Sequence, residues 1–107
     1  MRHLAKIIAM TICLATAVAL AGAATEVDQV GQKFSKPTLT LQSGDMVHFL
    51  NRDDTTHNVN VIDANDVALD QGLQKPGETI NVLFDKAGRF NVRCAIHPRM
   101  KMTVTVE

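Results

Sequence analysis

The chain contains no tryptophan and no tyrosine, and only four phenylalanines. Its own near-ultraviolet absorbance is therefore close to nil, and a visible band from anything bound would stand out. Neither sign of charge is in surplus, since eleven Lys and Arg face eleven Asp and Glu. With no long basic stretch either, nothing points to a nucleic-acid binder. Cysteine is nearly absent, occurring as Cys13 and Cys94 alone. Beyond the N-terminal stretch, no segment sustains the apolar spacing of a helix. At 107 residues there is room for one domain.

The first 23 residues read as a secretory signal peptide. Met1 to Lys6 is a short basic start, Ile7 to Leu20 an uncharged apolar run, and Ala21-Gly22-Ala23 a small-residue cleavage site. An uncleaved anchor fits less well, because no basic stop-transfer flank follows. A lipoprotein is rejected because bulky Ile12 precedes Cys13 where a small residue is required. Cleavage leaves a domain over residues 24–107 with nine basic and eleven acidic groups. Such a domain is small enough to be only modestly stable on its own core.

Export changes the meaning of Cys94. Once Cys13 has left with the signal, Cys94 is the sole thiol of a protein sent to an oxidising compartment, and an internal disulfide is impossible. Such a thiol is buried, paired with another chain or bound to a metal.

The rest of the domain alternates apolar and polar residues in short runs. Thr38–Leu41, Met46–Leu50, His57–Ile62, Thr79–Phe84, Arg89–Cys94 and Lys101–Glu107 each carry period-two patterning between turn signals. Lys75-Pro76-Gly77-Glu78 has Pro and Gly placed as a tight turn requires. The stretch from Asp66 to Gln74 is ambiguous between a strand and an irregular crossing. Alternation turns Cys94 inward with Phe90 and Val92. These features predict an all-β Greek-key sandwich.

The chemistry concentrates in Cys94-Ala95-Ile96-His97-Pro98-Arg99-Met100. A thiolate, an imidazole and a thioether in one loop form a soft donor set that suits copper rather than magnesium or calcium. His57 is the candidate fourth ligand from elsewhere in the chain. Each residue has a duller use: His57 at a loop end, His97 in a turn set by Pro98, Met100 as core filling. Together with a lone exported thiol, metal binding is the better account. Met102 is a second candidate for the axial position. His48 reads as a solvated strand residue, and His3 leaves with the signal.

In this order and spacing, Gly44-Asp45-x-Val47-x-Phe49-x-Asn51, His57-Asn58-Val59 and Ala87-Gly88-x-Phe90 leading into the Cys94 loop resemble a small cupredoxin of the plastocyanin and amicyanin type. The resemblance implies an eight-stranded sandwich and a one-electron carrier with one type 1 copper ion. His57, Cys94 and His97 match the in-plane ligands, and the short His-Pro-x-Met spacing selects Met100 over Met102. Asn58 would brace the Cys94 loop and aim a backbone N–H at the sulfur.

The expected protein is therefore not an enzyme but a periplasmic monomer that shuttles electrons between redox protein partners, such as a cytochrome or a dehydrogenase, docking near His97. Arg99, Lys101 and Arg93 make the surroundings of His97 more basic than in amicyanin, which points to an acidic rim on the partner. Copper storage or delivery is the alternative function. It would favour a Met- or His-rich tract, which is missing. A nucleophilic role for Cys94 lacks a partner base.

Overall fold

The computed structural model describes residues 22–107. The expected signal peptide therefore lies almost wholly outside the described residues. Eight strands follow in order: β1 (Ala24–Gln29), β2 (Thr38–Leu41), β3 (Asp45–Asn51), β4 (His57–Ile62), β5 (Ala68–Gln74), β6 (Thr79–Phe84), β7 (Gly88–Arg93) and β8 (Lys101–Val106). They form a three-stranded sheet in the order β1-β3-β6 and a five-stranded sheet in the order β2-β8-β7-β4-β5. Among the described residues there is no helix, and none that could cross a membrane.

Alternation decides which side chains meet between the sheets. Val47 and Phe49 of β3, Val82 and Phe84 of β6, Val92 of β7, and Met102, Val104 and Val106 of β8 all turn inward and are buried. Val59 and Val61 of β4 join them. A one-residue slip in any of these strands would move its whole apolar set to solvent, so the register is strongly specified. Edge-on aromatic pairs, Phe34 with Phe49 and Phe84 with Phe90, add to the packing.

Two features were not legible in the alternation. Strand β1 escaped notice because its inward face carries only Val27 and the polar Gln29. It pairs parallel to β3, and β2 pairs parallel to β8. The ambiguous stretch is β5, an edge strand whose Leu69 and Leu73 are exposed. Its pairing with β4 shifts register between Asn58 and Asn60, and Gly72 takes a φ of 92°. Period-two patterning fails there because β5 has almost no buried face.

The strand directions gather four loops at one end of the sandwich: β1–β2, β3–β4, β5–β6 and β7–β8. The candidate ligands lie at this end.

Candidate metal centre

His57 opens β4, and its side chain is fully buried. Cys94 follows the last residue of β7 and is 1% exposed, while Met100 precedes β8 and is 0% exposed. Two backbone bonds close the loop between them. Cys94 N–H donates to the Met100 carbonyl at 3.2 Å, and Met100 N–H donates to the His97 carbonyl at 2.9 Å. This holds His97, which is partly exposed, over the other donors.

His57, Cys94 and His97 each present one donor atom to a common point. The two Nδ1 atoms lie 3.1 Å apart, and Cys94 Sγ lies 4.0 Å from His57 Nδ1 and 3.7 Å from His97 Nδ1. A point inside a triangle with those sides is about 2 Å from every corner, close to an ordinary metal–nitrogen or metal–sulfur bond. The donor set fits a metal of intermediate softness. Met100 is fully buried and closes the loop through its backbone bonds to His97 and Cys94. Met102 is buried on the inward face of β8 with Val104 and Val106, as alternation requires. His48 stands apart: it is half-buried on β3 and its Nδ1 meets the Asn81 side chain across the β3–β6 pair.

Asn58 occupies the place expected of it. Its backbone N–H donates to Cys94 Sγ at 3.3 Å, and its Oδ1 accepts the Ala95 N–H at 3.2 Å. Its Nδ2 donates to Asp70 Oδ1 at 2.6 Å and to the Gly72 carbonyl at 3.0 Å. One residue thus ties the cysteine loop to β5. The N–H contact also holds the sulfur against the start of β4.

Asp53 was missed by the sequence reading, although it stands four residues before His57. Its Oδ2 lies 2.6 Å from His57 Nε2. Its carboxylate also accepts the N–H groups of Gly31 at 2.7 Å and Gln32 at 2.9 Å. Partial burial pulls this carboxyl upward, yet the Gln32 N–H, the His57 imidazole and the Gly31 N–H together outweigh it and hold the group below the usual carboxylate range. An ionised Asp53 fixes the proton of His57 on Nε2 and leaves the Nδ1 lone pair facing Cys94. Asn51 supports the arrangement: its Nδ2 donates to the carbonyls of Thr55 and Gln74, and its Oδ1 accepts the Asp53 N–H.

Comparison with known proteins fits this geometry. The sequence model of the copper binding proteins, plastocyanin/azurin family, matches residues 21–107. The chain belongs to that family. Among curated relatives, amicyanin of Paracoccus denitrificans is 31% identical over 85% of this chain and 71% of its own. Amicyanin-alpha of Methylorubrum extorquens is 32% identical over 100% of both chains. An oxidised single-substitution variant of amicyanin superposes with a TM-score of 0.72 at 32% identity, covering 80% of this chain and 83% of that one. This cupredoxin uses copper, and its family consists of electron carriers rather than enzymes.

Proposed function

We propose that the domain beginning near Ala24 is a soluble periplasmic one-electron carrier, in which His57, Cys94, His97 and Met100 would hold one copper ion. The observation that carries this reading is the convergence of two Nδ1 atoms and one Sγ around a single buried point, within a copper-binding family. Copper held there supplies a couple that accepts and releases one electron. The chain's own contribution is to keep the donors still. His57 is locked by Asp53, Cys94 by the Asn58 N–H, and the loop ends by the Cys94–Met100 backbone bond. Donors held in this way would stay nearly in place whichever oxidation state a bound copper ion took.

His97 is the one donor of the three that is not fully buried. Beside it Ile96 is 48% exposed, and Pro98 is exposed as well. The His97 edge is therefore the short route between the buried site and a redox partner docked on this end. The partners are other redox proteins, and the carrier meets them as a monomer.

Voltammetry of the copper-loaded domain tests the assignment. A reversible one-electron wave at one copper per chain supports a shuttle. Loss of copper to a chelator whenever the protein is reduced would instead indicate a protein that stores or delivers the ion.

A further inference from the structure

The copper end of the sandwich carries cations that the fold leaves without partners. Lys33 lies in the β1–β2 loop, Arg99 in the β7–β8 loop, Arg93 ends β7 and Lys101 begins β8; all four are exposed. The ion pairs among the described residues are Arg52 with Glu26 and Asp28, and His57 with Asp53. None of them uses these four cations. Arg93 and Lys101 stand directly opposite each other across the β7–β8 pair. Like charges in that position oppose strand pairing, so they do not serve the fold.

Charge is also sorted along the molecule. The loops and strand ends around the copper site hold Lys33, Lys36, Arg52, Lys75, Arg93, Arg99 and Lys101, against Glu26, Asp28, Asp53, Asp54, Asp70 and Glu78. The opposite end holds Asp45, Asp63, Asp66, Asp85 and Glu107, against Lys86 and Arg89. The domain has more acids than bases in total, yet that excess of acids lies wholly at the end away from the copper site. Such a separation orients an approaching anion toward one end.

A groove of ≈ 380 Å³ opens at this end. Its walls are the Gly31–Lys33 turn and the Ile96–Arg99 segment, His97 included. The first wall is fixed, because Asp53 accepts the N–H groups of Gly31 and Gln32 while holding His57. Lys33 and Arg99 thus line the same groove as the partly exposed His97.

We propose that this end is a basic docking face for the acidic surface of a redox protein, with carboxylates of the partner seated between Lys33 and Arg99 and a second contact at Arg93 and Lys101. The proposal rests on the reading of His97 as the electron exit. It adds the chemistry of the partner, and it predicts association that weakens as salt screens the charges.

Two readouts test it. First, the redox-inert paramagnetic anion hexacyanochromate(III) is titrated into the isotope-labelled protein and amide broadening is followed by NMR. Broadening should centre on the Gly31–Lys33 turn, Ile96–Arg99 and Lys101, and should fade in a Lys33→Glu/Arg99→Glu variant. Broadening centred on Lys86 and Arg89, or none, overturns the proposal. Second, oxidation of the reduced protein by hexacyanoferrate(III) is compared with oxidation by the cation tris(phenanthroline)cobalt(III). At low salt the Lys33→Glu/Arg99→Glu variant should be slower with the anion by about tenfold and faster with the cation. A Lys86→Glu/Arg89→Glu variant, with the same change in net charge, should move far less. Equal effects from the two variants would show that only net charge matters and would overturn a localised face. Anion mapping at Lys33 and Arg99 without any matching rate effect would leave the basic face standing and refute His97 as the exit.

Discussion

Asp53 takes hydrogen bonds from three separate parts of the chain: the Gly31 and Gln32 amides and the His57 ring. Removing it leaves a buried imidazole nitrogen and two turn amides without their acceptor. Asp53→Ala should therefore lower stability in urea by about 1–3 kcal/mol and weaken copper binding by about 10–100-fold in a competition titration. Asp53→Asn should lose less, because its side-chain oxygen still accepts. The two methionines separate in the same way. Met100 lies in the ligand loop and Met102 on the core face of β8. Met100→Leu should shift the reduction potential more than Met102→Leu, while Met102→Leu should cost under about 1.5 kcal/mol as a volume-conserving core change. The reverse order of potentials would make Met102 the axial ligand. The ligand candidates themselves were legible in the sequence, because their chemistry is rare and their spacing is local. Asp53 was not singled out: a carboxylate four residues from a histidine is common in loops, and only the fold shows that its other bonds anchor a distant turn.

The turn between β5 and β6 follows from its letters. Glu78 N–H donates to the Lys75 carbonyl at 3.0 Å, with Pro76 and Gly77 between them. Gly77 takes a φ of 81° and nothing lies within 4 Å of the place a Cβ would occupy. Gly77→Ala should thus cost about 1 kcal/mol in denaturant unfolding, all of it from backbone conformation. Strand β5 could not be assigned from its sequence for the opposite reason. Its place is set by long-range bonds from Asn58 to Asp70 and Gly72, and no local pattern encodes those. The Gly72 N–H and the Asn58 amide hold the Asp70 carboxyl below its ordinary value, against a smaller opposing effect of burial. A carboxyl lowered by folding stabilises the native state above its unfolded value, about 4, and that contribution disappears as pH falls through the folded value. Acid unfolding followed by far-ultraviolet circular dichroism should therefore be shallower with pH in Asp70→Asn than in the parent. Equal slopes would show that this carboxylate does not tie β5 to the cysteine loop.

At the scale of the whole molecule, the sandwich is a clamp whose loops at one end meet around Cys94. The all-β class and most strands were readable from alternation, whereas the parallel placement of β1 was hidden by the polar Gln29 on its inward face. The cations of the copper end were partly readable: Arg93, Arg99 and Lys101 stand close to the ligand loop in sequence, but Lys33 reaches it only through the fold. Export should remove the first residues, so N-terminal sequencing of protein recovered from a periplasmic fraction should begin near Ala24. The central claim is that His57, Cys94 and His97 bind one copper ion through a thiolate. It is tested most directly by adding Cu(II) to the purified apoprotein and recording the visible spectrum, which the chain's lack of Trp and Tyr leaves clear. An intense visible copper–thiolate band that saturates at one copper per chain, and is absent in Cys94→Ser, is the predicted result. A colourless complex, or a band that survives Cys94→Ser, would contradict it.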